Sequence, residues 1–247
     1  MIEKAIMYFS GGKDSTAMLY YLDDLLDQID VVFCDTGAIL PEVLEHIHET
    51  CWRLKARLSV IRPPQDIREF HREKGLPADI VPFERTVEYR DYMHAPVENP
   101  IQSYFSCCYQ MIMKPLDDYS RENGYNLVIR GSKKCDERVG APDGFVHNGV
   151  TYLSPLWDWS HEDVFAYLKQ RGVSLPPHYR LFPDSLDCFI CTGHLKHYGL
   201  ERLEFIKKHH PDKWPELFDN LCKVDRAVTE EYADFRYAVV EGIKDAR

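Results

Sequence analysis

The sequence predicts an α/β fold built on a single doubly wound parallel sheet with a helical C-terminal extension. Three observations carry the prediction. Short apolar runs alternate with stretches of helical spacing through the first third of the chain. The first of those runs stops at a glycine pair, and no low-complexity tract or linker divides the chain. Successive strands joined by helices need crossover connections, which give parallel strands covered on both faces.

Lys4–Phe9 is an apolar run ending at Gly11-Gly12 and reads as a buried parallel strand. Asp14–Leu26 carries Ala17, Met18, Leu22, Leu25 and Leu26 at helical spacing. Asp30–Cys34 is a second strand, and Pro41–Leu54 is a helix with its proline in the first turn. Arg57–Ile61 is a third strand. Residues Pro77 to Pro100 show no periodicity and read as a long excursion, a candidate lid or substrate loop. Gln110–Asn123 returns to a helix, Asn126–Arg130 to a strand, Gly131–Gly140 to a loop and Thr151–Leu156 to a last strand. Ser160–Gln170 is a helix capped by Ser160, with Asp163 in the capping-box position. The chain after His194 is helical and charged. These elements place residues 1–195 in one domain and residues 196–247 in a helical extension of it.

The bulk numbers narrow the function. Hydrophobic residues make up 45% of the 247, enough for an ordinary core. A formal net charge of −10 opposes broad nucleic-acid binding, so a nucleic-acid partner would need a local basic patch. Residues Met1–Ile6 show no basic leader before an apolar run, and no apolar stretch reaches the ~18 residues of a membrane span. The expectation is a cytoplasmic protein, with no membrane partner, whose eight cysteines are reduced.

Ser10-Gly11-Gly12-Lys13-Asp14-Ser15 lies where a strand turns into a helix. Two glycines permit a tight turn and close ligand approach. The helix N-terminus offers unpaired N–H groups to an anion. Lys13 adds a charge, and Ser10 and Ser15 add hydroxyls. The Walker A spacing is absent. A glycine turn before a helix is the bland alternative. The string SGGKDS resembles the PP-loop of the adenine-nucleotide α-hydrolase superfamily. That resemblance implies ATP with Mg²⁺ and cleavage between the α- and β-phosphates, with Lys13 and Asp14 as catalytic candidates. Asp35-Thr36-Gly37, at the end of the second strand, resembles the element that follows the PP-loop in phosphoadenylyl-sulfate reductases and lies close to the nucleotide there. A strand-end turn is its alternative.

Cys107-Cys108 are adjacent, and Cys188-Phe189-Ile190-Cys191 is a C-x-x-C. Four soft thiolates select zinc or an iron–sulfur cluster. Adjacent cysteines suit a wide cluster better than one tetrahedral ion, because their side chains diverge. A cysteine pair followed at this distance by C-x-x-C resembles the [4Fe–4S] pattern of the adenylyl-sulfate reductase branch, with Ser154-Pro155-Leu156-Trp157 to Val164 and Pro115-Leu116 in agreement. The resemblance covers residues 5–195. The chain departs from it in two places. Ile112 and Met113 stand where the family carries a basic residue, and no Glu-Cys-Gly-Leu-His tail with the sulfur-attacking cysteine is present.

Arg130 to Arg138 contains four cations in nine residues. It resembles the family's substrate-phosphate loop, with Gly131, Lys133, Lys134 and Arg138 as anion-binding candidates; a solvated charge run is the alternative. Cys135 among these cations is a candidate nucleophile or persulfide carrier, because nearby positive charge favours a thiolate; the alternative is an incidental loop cysteine. Cys34, Cys51 and Cys222 read as buried packing residues. Cations and histidines from His194 to Lys213 suit either a nucleic-acid backbone or an ordinary charged helix.

The reading so reached is an ATP-dependent adenylylating enzyme of the phosphoadenylyl-sulfate reductase family, resembling the ATP-pyrophosphatase component of DNA phosphorothioation systems. It would activate a nucleic-acid or small-molecule acceptor for sulfur transfer, with a sulfur- or electron-donor protein as partner. Reduction of adenylyl sulfate or phosphoadenylyl sulfate to sulfite is one alternative. A non-catalytic nucleotide-binding or cluster-sensing subunit is the other.

Overall fold

Tyr8 and its predecessors explain the centre of the fold: in β1 (Ala5–Tyr8) the last three residues are buried, as a strand covered on both faces must be. The computed structural model describes residues 4–136 and 141–244. In chain order the regular elements continue as α1 (Lys13–Tyr21), β2 (Ile29–Cys34), α2 (Pro41–Arg53), β3 (Arg57–Ile61), α3 (Ile67–Lys74), β4 (Leu76–Ala78), α4 (Val87–Met93), β5 (Ile101–Ser103) and α5 (Tyr104–Cys108). There follow α6 (Lys114–Glu122), β6 (Leu127–Ile129), β7 (Phe145–His147), β8 (Val150–Leu153), α7 (His161–Gln170), α8 (Gly199–His209) and α9 (Trp214–Lys244).

These elements group into two compact units. The first comprises residues Met1–Pro64 and Met111–Cys188, and the second Gln65–Gln110 and Phe189–Arg247. The C-terminal helices share a unit with residues 65–110.

The first unit carries a six-stranded sheet in the order β3-β2-β1-β6-β8-β7, with helices on both sides. All neighbours are parallel except β7 and β8. The sheet is therefore mixed, with one antiparallel edge strand. Strand order reverses at β1, between β2 and β6, and the loops that follow β1 and β6 leave the sheet at this switch point, where open α/β sheets bind ligands. Ile6, Tyr8, Val32, Cys34, Leu116, Tyr125 and Val128 form a core cluster on this sheet. In α2, the buried Val43, His46, Ile47, Thr50 and Cys51 follow helical spacing. Helix α7 begins with the expected capping box, Ser160 and Asp163 bonding reciprocally.

Several boundaries differ from the sequence reading. The first helix stops at Tyr21, and Asp23–Leu25 tightens into a 3₁₀ turn; adjacent acids at a helix C-terminus oppose its dipole. The helix expected from Gln110 opens as a wide π turn over Tyr109–Met113. Pro115 lacks an N–H for the Met111 carbonyl, and that carbonyl accepts instead from the Cys34 thiol at 3.4 Å.

The second unit contains the parallel pair β4-β5, so the excursion expected over Pro77–Pro100 holds a short strand and the helix α4. Its core gathers Leu76, Ala78, Ile101, Val224 and Ala227. Gly75, at φ 98°, closes α3 where a side chain would strike the Pro100 backbone at 2.6 Å. Cys222 corrects another expectation: it is exposed. The buried positions of α9 are Leu217, Val224 and Ala227, and residue 222 lies off that stripe. Cys34 and Cys51 are buried as expected, and burial pushes both thiols up to about 12. No helix among the described residues is long and apolar enough to cross a membrane.

Candidate nucleotide site at the sheet switch point

Phe9 closes the end of β1 by donating its N–H to Val32 O at 2.9 Å. The chain then turns through Gly11, whose φ of 76° favours glycine. Gly12 is the N-cap of α1, and no side chain caps it. Gly12 has no side chain with which to cap the turn, so the opening amides find their partners elsewhere in the fold or in a ligand. Three local bonds shape it: Gly12 N–H donates to Ser10 Oγ at 3.3 Å, the Ser10 and Ser15 hydroxyls meet at 3.1 Å, and Ser15 Oγ donates to Gly12 O at 3.1 Å. Lys13 N–H donates to Tyr179 Oη at 2.9 Å. Burial pushes Tyr179 up, against the lowering effect of that bond, so it remains a phenol.

Charges are arranged in a line. Asp14 accepts from Lys13 Nζ at 3.0 Å on one oxygen and from Lys133 Nζ at 2.6 Å on the other. Lys133 Nζ also lies 2.8 Å from Asp136, whose other oxygen accepts from Lys133 N–H at 2.8 Å. Lys133 is 0% exposed. Burial alone would lower its pKa, but Asp14 and Asp136 outweigh that and raise it, so the ammonium persists. Gly131 lets the loop after β6 approach: a Cβ there would stand 2.9 Å from Ser15 N and 3.0 Å from Asp14 C.

Of the expected anion-binding cations, Lys133 therefore reaches the Ser10–Ser15 turn, through Asp14. Lys134 is exposed and pairs with Asp158 at 2.6 Å. Arg138 lies outside the described residues. Cys135 is exposed, and its thiol donates to Trp159 O at 3.2 Å. At the neighbouring strand end, Asp35 accepts from Gly37 N–H at 2.9 Å. Thr36 Oγ1 meets Cys188 Sγ at 3.2 Å, so the C-x-x-C starts against the Asp35–Gly37 turn. Tyr179 and the pairing role of Asp136 are absent from the sequence reading, because nothing local to either residue signals a contact with the loop.

Behind the loop, Thr16 Oγ1 meets His46 Nε2 at 3.0 Å. Burial pushes His46 down to about 4, so the folded protein holds it neutral. An unfolded histidine titrates near 6.5. As pH falls below that value the unfolded state binds a proton that the folded state refuses, and stability drops until about pH 4. His46 is expected to cost about 2 kcal/mol between pH 7 and pH 5. Urea midpoints at the two pH values measure this, and His46→Gln is expected to reduce the difference; an unchanged difference would refute the assignment.

The other three expected cluster ligands lie in the second unit. Cys107 is buried, Cys108 and Cys191 are half-buried, and no disulfide joins any of the eight cysteines. Burial pushes the Cys107 thiol up, and charge on Cys108 and Cys191 adds to the effect. Cys107 Sγ also meets His71 Nε2 at 3.4 Å. Arg202 is buried and donates to the Gly193 and Cys191 carbonyls, fixing the backbone after the C-x-x-C. Lys207 and Lys213 lie over the rings of Trp214 and Phe189, so these three cations of the His194–Lys213 segment take part in packing. Among the described residues, the group of three or more metal-type donors within 4.8 Å of one another is Cys135, Asp136 and His161.

Comparison with known proteins gives a consistent picture. The family model described as the phosphoadenosine phosphosulfate reductase domain matches residues 4–194. The phosphoadenosine 5'-phosphosulfate reductase of Vibrio vulnificus is 26% identical over 169 residues, 68% of this chain and 58% of that protein. An uncharacterised protein of Methanocaldococcus jannaschii is 22% identical over 222 residues, 87% of this chain and 46% of that protein. The chain spans about half the length of the curated relatives it matches. A phosphoadenylyl-sulfate reductase from Candida auris, crystallised as a phosphate complex, shares the fold with a TM-score of 0.55 at 18% identity, covering 78% of this chain and 84% of that one.

Proposed function

Since the chain belongs to the phosphoadenosine phosphosulfate reductase family, we propose that it is a nucleotide-using enzyme that takes ATP with Mg²⁺ at Ser10–Ser15 and transfers the adenylyl group to an acceptor destined to receive sulfur. One observation carries this reading. Two ammonium groups, Lys13 and Lys133, meet on Asp14 in the first turn of α1, whose N-cap is a glycine. An acceptor oxygen attacks the α-phosphorus, the bond to the β-phosphate oxygen breaks, and pyrophosphate leaves with the electron pair. Lys13 and the first amides of α1 face the charge that develops on the departing group. Gly131 and Lys133 hold the adjacent phosphate or the acceptor, and Asp35-Thr36-Gly37 lines the neighbouring strand end.

Cys107, Cys108, Cys188 and Cys191 are the residues proposed to hold a [4Fe–4S] cluster. The chemistry of the set fits: all four are thiols outside disulfides, and soft thiolates are the donors that an iron–sulfur cluster takes. Such a cluster supplies electron transfer or a sulfur-binding iron when bound. A nucleic acid or small molecule as acceptor, and a donor protein for sulfur or electrons, complete the reading.

The relatives named as phosphoadenosine phosphosulfate reductases favour a second reading, reduction of an adenylyl sulfate to sulfite. The test is product analysis with anaerobically purified protein. On the first reading, α-labelled ATP yields pyrophosphate and labelled acceptor, and Lys13→Ala lowers kcat by roughly 100-fold or more while bound iron is unchanged. Sulfite from phosphoadenylyl sulfate, with no ATP binding by calorimetry, would establish the reductase instead.

A further inference from the structure

We propose that Cys135, Asp136 and His161 form a Zn²⁺ site on the first unit, separate from the cysteine pair and the C-x-x-C. One ligand atom from each residue lies within 4.8 Å of the other two. Tetrahedral zinc with bonds of about 2.0–2.3 Å sets its ligand atoms roughly 3.3–3.8 Å apart. A small contraction closes the set. Thiolate, imidazole and carboxylate are the donors that zinc accepts, and a hard cation such as Mg²⁺ would not select the thiol.

The surroundings hold the three donors in place. Cys135 and Asp136 sit in the turn that follows β6, and His161 is the first residue of α7. Two contacts join these segments: Lys134 N–H donates to Trp157 O at 2.9 Å, and the Cys135 thiol donates to Trp159 O at 3.2 Å. The capping box of Ser160 and Asp163 fixes the first turn of α7 and with it the His161 backbone. His161 Nδ1 is buried and has no hydrogen-bond partner. A ring nitrogen removed from water beside a thiol and a carboxylate is under-satisfied as it stands, and a metal ion would satisfy it.

Asp136 already accepts two bonds from Lys133. An ionised carboxylate offers about four lone-pair sites, so two remain for a metal. The N-terminal dipole of α7 opposes a cation at this place. The thiolate and the carboxylate bring two negative charges that match Zn²⁺. Three protein ligands leave a fourth position for water. Zinc displaces the proton that Cys135 shares with Trp159 O, which makes Cys135 a metal ligand rather than a sulfur carrier.

The inference is independent of which nucleotide the protein uses. Its test is equilibrium dialysis of the full-length protein against Zn²⁺ alone, with X-ray absorption at the zinc edge. Wild type is expected to bind one equivalent more than Cys135→Ser. His161→Asn is expected to weaken that equivalent beyond the 10–100-fold typical of losing an outer-shell partner. Cys191→Ser is expected to keep it. The edge spectrum of this equivalent, isolated as the difference from Cys135→Ser, is expected to show one sulfur with nitrogen and oxygen donors. Equal zinc content in wild type and Cys135→Ser, retention at full affinity in His161→Asn, or loss in Cys191→Ser would each overturn the site. Cys135 is exposed, so its serine variant is expected to fold.

Discussion

Replacing Lys133 with methionine is expected to destabilise the first unit by about 3 kcal/mol and to abolish nucleotide binding. Methionine keeps much of the volume and removes the charge. Asp14 and Asp136 would then face each other without the cation that both now contact. Breaking a buried pair costs about 3–5 kcal/mol because a charge is left uncompensated. Both acids keep roughly a quarter of their side chains in water (26% and 28%), which places the expected cost at the low end of that range. The folded pKa of Lys133 is raised, so its contribution is complete below the unfolded value of about 10.4 and is lost only as pH rises through the folded value. The cost should therefore be the same at pH 6 and pH 8. Urea unfolding measures it. Adding Asp14→Asn to Lys133→Met should return part of the stability; a further loss would show that the charges are not its source.

Gly11→Ala is the second large effect. Alanine at φ 76° enters the left-handed region, at about 1–2 kcal/mol. Its Cβ would also stand 2.6 Å from Ile47 Cγ1 and 3.0 Å from Ile47 Cδ1. Ile47 is fully buried and branched at Cβ, so it cannot rotate away cheaply. Overpacking of this kind adds about 1–3 kcal/mol. The expected total is about 3 kcal/mol, with nucleotide affinity reduced at least tenfold as the turn shifts. Gly124→Ala is the control: it has the same sign of φ, and nothing lies within 4 Å of its added Cβ. If the two variants match in stability and nucleotide binding, the contact with Ile47 carries no weight.

What the sequence discloses follows the range of the interactions. Ser10–Ser15 could be read because strand, glycine pair and helix are consecutive, and each leaves a local signature. The capping box of Ser160 and Asp163 is legible for the same reason. Lys133 is legible as a cation, yet its burial depends on Asp14, 119 positions away, and a charged residue gives no local sign of a buried partner. Tyr179 reaches Lys13 across 166 positions and leaves no trace in composition. Strands β4 and β5 have three residues each, and Pro77 inside β4 argues against a strand by its own chemistry. One local signal does mark the edge strand. Asn148-Gly149, with φ of 49° and 76°, joins β7 to β8, and such a pair between apolar runs marks a two-residue hairpin. The pair places the antiparallel edge strand beside β8.

The line Lys13, Asp14, Lys133, Asp136 sums to zero charge. The Ser10–Ser15 turn thus carries a tethered counter-ion, and on the proposed reading an arriving nucleotide would take part in an exchange: its phosphates would have to displace the Asp14 carboxylate from at least one ammonium. A tethered carboxylate competes at a high effective concentration that dissolved anions cannot match. Chloride or a single sulfate would then be a poor competitor, whereas a chain of phosphates that also reaches the α1 amides would succeed. Because one internal anion replaces another, few dissolved ions enter or leave on binding. Affinity should accordingly vary little with salt, although the site is built from lysines.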